Sequence, residues 1–181
     1  MSLFINLITI SRMIFGAVIF LLITVTEMYW YAFILFFLAS ITDYFDGHLA
    51  RKYGLVSQLG EILDPIADKI LILFLLFAIS INLASNYIGF LSALIITREI
   101  WIGALRDFNA RQNNTSATKV TFLAKIKTTT QLFTISTYLF ALALNNMLII
   151  LIADIMLFLS FLVTVYTGLI YTLNTFNNPF E

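Results

Sequence analysis

No cysteine occurs in the 181 residues, which excludes disulfides and thiolate metal sites together. Histidine is nearly absent as well. His48 is the single one, so any resident metal must be held by oxygen or by that one imidazole. Charge is the third shortage: Asp, Glu, Lys and Arg make up 11% of the chain, against about 25% in an ordinary soluble domain. So few charges cannot cover the surface of a soluble protein of this size. The ten basic and ten acidic residues give a formal net charge of zero, so no global field attracts nucleic acid, and no nucleic-acid partner is expected. The amino terminus, MSLFINLITISR, has no basic leader before its apolar run and no small-residue cleavage site after it. It reads as a retained span and not as a signal peptide.

What is present is apolar. Hydrophobic residues make up 61% of the chain, and the mean hydropathy is +0.97. A helical span takes about 20 mostly apolar residues, and six such stretches can be marked: roughly Phe4–Thr24, Met28–Ala50, Leu59–Ile81, Asn86–Arg106, Val120–Leu144 and Met147–Leu173. Helices are expected because a lipid-exposed backbone must satisfy its own hydrogen bonds, and the alternation of a membrane barrel is missing. The connections near Glu27, Asn82 and Asn145 are short and carry no Lys or Arg, whereas residues 43–69 and 98–127 are polar. With the spans alternating in direction, every Lys and Arg falls toward one face. The positive-inside bias makes that face cytoplasmic, and Tyr29, Trp30 and Tyr31 then sit in the opposite interface. The expected fold is an all-α integral membrane bundle of six transmembrane helices, one domain over residues 1–181 with both termini cytoplasmic. It would sit as a multi-pass protein in the inner (cytoplasmic) membrane.

Against this background the segment DYFDGHLARKYGLVSQLGEILDPIADK, residues 43–69, is anomalous. Asp43 and Asp46 are three residues apart and share a helical face with Gly47. Gly60, Asp64 and Asp68 step by four along another helix. An antiparallel pairing of the second and third helices would bring the two acidic stripes face to face. Each Asp at mid-membrane costs about 2.5 to 3.5 kcal/mol, less near the interface. Like charges also repel, and a helix C-terminus beside Asp43 and Asp46 makes their ionisation worse. Arg51, Lys52 and Lys69 offset part of this; two divalent cations would cancel the charge of all four carboxylates. All-oxygen ligation favours Mg²⁺ or Mn²⁺, with Ca²⁺ on weaker grounds. Solvated loop acids paired with lysines are the bland alternative, which accounts for neither stripe. Paired metals beside a carboxylate that can take a proton from an attacking hydroxyl are the apparatus of phosphoryl-type transfer. Chemistry alone thus reaches a membrane enzyme acting on a phosphate-bearing substrate, with the cation site of a small transporter as the rival from another class.

Asp43, Asp46, Gly47, Ala50, Arg51, Gly60, Asp64 and Asp68 reproduce the pattern D-x2-D-G-x2-A-R-x8-G-x3-D-x3-D. This resembles the signature of the CDP-alcohol phosphotransferase family, whose six-span fold matches the reading above over nearly the whole chain. The resemblance implies that a CDP-linked lipid binds at two metal ions, that an alcohol hydroxyl attacks the β-phosphate, and that CMP leaves. Asp43, Asp46, Asp64 and Asp68 match the metal ligands, and Asp68 also matches the general base. Asp43, Gly47, Ala50, Arg51 and Gly60 match positions around the CDP group. A homodimer is implied too.

DPIADK (64–69), TREIWIGALR (97–106) and KIKTTTQ (125–131) resemble the phosphatidylglycerophosphate synthases, the branch using CDP-diacylglycerol and glycerol 3-phosphate. Arg98, Arg106, Lys125 and Lys127 converge on the cytoplasmic side, where they would bind the acceptor's phosphate. Positive-inside topology and contact with anionic headgroups are the alternative role for these cations, and the preferred one for Arg111 and Lys119. Arg98 has Glu99 as an alternative partner. Within the family the acceptor could also be phosphatidylglycerol, serine or inositol phosphate. NLITISR resembles the family's segment near the nucleotide, which makes Asn6, Thr9 and Arg12 candidate contacts, although the usual preceding Pro is missing. Ala124 stands where Gly is common. His48 is expected to face solvent or headgroups, and Asp154 to make a structural hydrogen bond or a dimer contact.

Overall fold

The structure is a computed structural model that describes residues 2–53, 58–112 and 122–177, with side chains described at 9–42, 63, 66–112 and 126–176. The described residues form six helices: α1 (Ser2–Thr24), α2 (Tyr29–Tyr53), α3 (Gln58–Asn82), α4 (Asn86–Arg111), α5 (Phe122–Leu144) and α6 (Met147–Asn177). They match the apolar stretches to within a few residues. The larger differences are at the ends of α4 and α6, which run on to Arg111 and Asn177, because a backbone helix can continue after its apolar pattern has stopped.

The side-chain pairs fix the direction of each helix. Arg12 bonds Asp68, and eleven residues along α1 the carbonyl of Ile23 accepts from Asn82, so α1 and α3 run parallel. Asn82 also donates to the Tyr29 hydroxyl, which sets the start of α2 beside the end of α3. Arg98–Thr167 and Asn109–Thr175 make α4 and α6 parallel, whereas Tyr138–Asp154 and Gln131–Thr164 make α5 and α6 antiparallel. Neighbouring helices form a ring in the order α1, α2, α5, α6, α4, α3, with α3 and α5 also touching across it. Successive helices alternate in direction along the chain, so two neighbouring pairs in the ring, α1 with α3 and α4 with α6, are parallel. Nine of the ten Lys and Arg lie on the described helices, all on the segments that run toward one end.

At the opposite end the three short turns share a device. Each passes through one residue with positive φ: Glu27 at 54°, Ala84 at 46° and Asn145 at 50°. The amide after Ala84 bonds back to Ser80 O at 3.1 Å and the amide after Asn145 to Ala141 O at 3.0 Å, the Schellman pattern that ends a helix. The next helix is then capped: Ser85 Oγ accepts from Ile88 N, and Asn146 Oδ1 accepts from Leu148 N.

The core runs through the ring's middle, where Ile19, Ile23, Leu75, Leu76, Ile79, Ile88, Ile95, Ile135, Tyr138 and Leu157 are buried. Large apolar side chains also cover the outside, among them Leu21, Phe37, Phe77, Phe90, Phe133, Leu151 and Leu169. Among the described residues, α4 and the stretch 147–176 of α6 are long and apolar enough to cross a bilayer, with mean hydropathies of 1.6 and 2.8.

Among the described residues α1 packs against both α2 and α3. The expected meeting of the acidic stripes of α2 and α3 falls on Asp43, Asp46 and Asp64, whose side chains lie outside the described residues. Arg12 of α1 is 2% exposed, and a buried guanidinium needs a carboxylate beside it. Asp68 of α3 supplies that carboxylate.

Candidate active site

The candidate residues all come from the charged end. Asp43, Asp46, Gly47, Ala50 and Arg51 lie on the last three turns of α2, and Gly60 and Asp64 on the first two turns of α3. Asn6 and Lys125 lie near the starts of α1 and α5. The side chains of these nine residues, and of His48, are outside the described residues. Among the described residues no three carboxylates or imidazoles gather to hold a metal.

Asp68 is described, and its surroundings are specific. Its Oδ1 accepts from Arg12 Nη1 at 2.7 Å; the Arg12 side chain is 3% exposed and that of Asp68 44%. The guanidinium is therefore locked in the bundle, while the carboxylate is held at its rim with much of its surface open. Thr9, one turn before Arg12, is buried on the same helix. Two candidates that the sequence assigned separately, a nucleotide contact and a proton acceptor, are thus joined in one ion pair. As a donor the carboxylate is a hard oxygen ligand of the kind Mg²⁺ and Mn²⁺ take.

The second half of the site is built by α4, α5 and α6. Glu99 Oε1 accepts from Lys127 Nζ at 2.5 Å and from Arg98 Nη1 at 3.2 Å, with all three side chains at least four-fifths buried. Arg98 Nη2 donates to Thr167 Oγ1 at 2.7 Å. The chain needs a glycine beside it, because a Cβ on Gly168 would lie 2.8 Å from Arg98 Nε and 3.1 Å from its Cγ. Arg106, two turns further along α4, is exposed, with its guanidinium carbon 5.6 Å from the centre of the buried Tyr171 ring, within cation–π range. The structure thus brings Arg98 and Lys127 together, and Arg106 flanks them. Of the two alternatives for Arg98, the pairing with Glu99 is present.

Thr167 and Gly168 are the residues that sequence reasoning left out, and Glu99 entered it only as a partner of Arg98. An acid next to Arg98 in the chain was visible, but its reach to Lys127, 28 residues away, has no local signal. The threonines had one: Thr164, Thr167, Thr172 and Thr175 recur at helical spacing on α6, and they receive Gln131, Arg98, Trp101 and Asn109 in turn. Interhelical bonds of this kind add roughly 0.6 kcal/mol each where lipid supplies no hydrophobic drive between helices. Asp154 stands apart at the other end, where it accepts from the Tyr138 hydroxyl at 2.5 Å. This is the structural hydrogen bond expected of it.

Residues 3–166 match the family model described as CDP-alcohol phosphatidyltransferase. Three similar proteins are each named CDP-diacylglycerol–glycerol-3-phosphate 3-phosphatidyltransferase. The one from Rickettsia bellii is 38% identical over 139 residues, 76% of this chain and 75% of that protein. The one from Sodalis glossinidius is 38% identical over 106 residues, 59% of this chain and 58% of its own length. The Blochmanniella floridana protein is 43% identical over 99 residues, 55% of this chain and 52% of its own. The chain therefore spans little more than half the length of two of these relatives and three quarters of the third. With the family model covering most of the chain, the conclusion is plain: it belongs to the CDP-alcohol phosphatidyltransferase family.

Proposed function

We propose that the chain transfers the phosphatidyl group of CDP-diacylglycerol to glycerol 3-phosphate, giving phosphatidylglycerophosphate and CMP. The observation that carries this reading is the Arg98–Glu99–Lys127 cluster, a buried net positive charge at the same end of the bundle as the half-exposed Asp68. An acceptor that brings its own phosphate needs such a cluster, and a neutral alcohol does not. The names of the relatives point to the same acceptor.

Asp68 takes the proton of the acceptor hydroxyl as its oxygen attacks the β-phosphorus. A new O–P bond forms, the bond from that phosphorus to the bridging oxygen breaks, and CMP leaves with the electron pair. Arg12 keeps Asp68 at the rim and faces the side from which the nucleotide comes; Asn6 and Thr9 would line that side. Gly47, Ala50, Arg51 and Gly60 would surround the CDP group. The oxygen-only donor set of Asp43, Asp46, Asp64 and Asp68 suits two divalent ions, Mg²⁺ or Mn²⁺, which when bound neutralise the diphosphate. Arg98, Arg106, Lys125 and Lys127 would hold the acceptor phosphate.

In this reading all six helices cross the inner membrane as one domain over residues 1–181, with both termini and the site on the cytoplasmic side. The lipid tails reach the site from the bilayer and the acceptor reaches it from the cytosol, in a protein that works as a homodimer. Supporting this are the alternating direction of successive helices, the collection of the described Lys and Arg at one end, and the apolar exterior. The test is to incubate purified protein with CDP-diacylglycerol and, separately, labelled glycerol 3-phosphate, phosphatidylglycerol, serine or inositol phosphate. Product from glycerol 3-phosphate is expected; product from another acceptor alone overturns the assignment.

A further inference from the structure

Asp68 and Lys69 are consecutive on α3, so their side chains diverge by about 100° around the helix. Asp68 turns to Arg12 on α1. Lys69 turns to α4: a Cβ built on Gly103 would lie 2.9 Å from its Nζ. Gly103 is four residues after Glu99 and three before Arg106, so it shares their helical face. Lys69 Nζ thus approaches α4 at Gly103, with Glu99 one turn before it and Arg106 one turn after it on the same face. It is half-buried, and no ion pair or hydrogen bond among the described residues engages it.

Glu99 already serves two cations, and the Asp68 oxygen nearest α1 accepts from Arg12. A partly desolvated ammonium without a carboxylate is costly unless an anion comes to it. On the acceptor reading proposed above, the incoming anion is a phosphate monoester. We infer that Lys69, seated over Gly103, is a further ligand of the acceptor phosphate and the residue that links acceptor binding to the reacting hydroxyl. Consecutive Cα atoms are about 3.8 Å apart, and diverging side chains widen that to the reach of a three-carbon phosphate ester. One end of such a molecule lies at the Asp68 carboxylate and the other at the Lys69 ammonium. A Cβ at Gly103 would meet only the far end of the Lys69 side chain, so it would shift the ammonium and leave the helices in place.

The experiment measures separate KM values for glycerol 3-phosphate and CDP-diacylglycerol in Lys69→Gln, Lys69→Arg, Gly103→Ala, Arg98→Gln and Lys127→Gln. Loss of one charged hydrogen bond to phosphate predicts a rise of about tenfold or more in the acceptor KM of Lys69→Gln, with the lipid KM within about twofold. Lys69→Arg keeps the charge and recovers most of the loss. Gly103→Ala moves the acceptor KM in the same direction by a smaller factor, and it becomes the deciding variant should Lys69→Gln fail to fold. Inorganic phosphate, used as a competitor of the acceptor, inhibits Lys69→Gln less well than the unaltered protein. The inference is overturned if Lys69→Gln raises the lipid KM instead, or leaves both unchanged while Arg98→Gln raises the acceptor KM. If Arg98→Gln and Lys127→Gln leave the acceptor KM unchanged while Lys69→Gln raises it, the cluster reading falls and this one stands.

Discussion

Arg12 and Asp68, 56 residues apart in the chain, meet at 2.7 Å with one partner buried and the other open. The pair fastens α1 to α3 at the charged end, as the Asn82 bond to the Ile23 carbonyl fastens them at the other. A half-exposed carboxylate would otherwise sample several rotamers. Here a guanidinium with almost no freedom of its own fixes one of them, so α1 helps to build the candidate site.

Removing that fixed partner should act on chemistry more than on substrate capture. Arg12→Gln is expected to lower kcat by at least about tenfold, with a smaller change in the acceptor KM. A double-mutant cycle with Asp68→Asn, read by thermal unfolding in detergent, should show a coupling of about 1 kcal/mol. The open side of the carboxylate keeps the value modest. Additive effects would show that the pair is not energetically joined.

Gly168→Ala tests the seat of Arg98. The added methyl would lie 2.8 Å from Arg98 Nε, which is too close to accommodate without moving the guanidinium away from Thr167 and Glu99. The KM for glycerol 3-phosphate should rise severalfold while that for CDP-diacylglycerol stays the same. A parallel rise in both would mean general damage to the fold instead.

Asp154 should matter for stability and not for turnover. Its bond from Tyr138, a residue with no exposed surface, ties α5 to α6 far from the site. Tyr138→Phe and Asp154→Asn should each lower the melting temperature by a few degrees, corresponding to about 1 to 3 kcal/mol, with both KM values unchanged. Asp64→Asn should damage metal retention and turnover more than Asp154→Asn does. Equal losses of activity would contradict the placement of the site.

The turn between α3 and α4 carries stored strain. Ala84 has φ of 46°, a region that costs a residue with a Cβ about 1 kcal/mol more than glycine. Ala84→Gly should therefore raise the melting temperature by a few degrees, a gain that thermal unfolding of the purified protein would detect. A fall would show that the added freedom of the unfolded chain outweighs the relief.

Much of this architecture was legible in the sequence because its causes are local. Apolar runs ended by residues such as Asn82 and Asn145 gave the helices nearly to their ends, and the one-sided placement of Lys and Arg gave their alternation. The acidic spacing on α2 and α3 is local too, but the side chains of Asp43, Asp46 and Asp64 lie outside the described residues. What stayed hidden depends on which helix lies beside which. Nothing near Arg12 in the chain indicates that it reaches Asp68, or that α1 lies against both α2 and α3. Glu99 was visible as a neighbour of Arg98, but its bond to Lys127 exists only once α4 and α5 pack. Lys69 could be read as one more cation near the aspartates, until Gly103 showed which helix it faces.

The most direct test of the account is CMP release from CDP-diacylglycerol by purified protein, measured for the unaltered chain and for Asp68→Asn under matched folding. The unaltered protein should form CMP only when glycerol 3-phosphate and Mg²⁺ or Mn²⁺ are both present, and chelation should stop it. Asp68→Asn should be slower by about 10² to 10⁴-fold, the usual worth of a general base. CMP formed at an undiminished rate by Asp68→Asn, or cation flux through vesicles with no CMP formed by the unaltered protein, would contradict it.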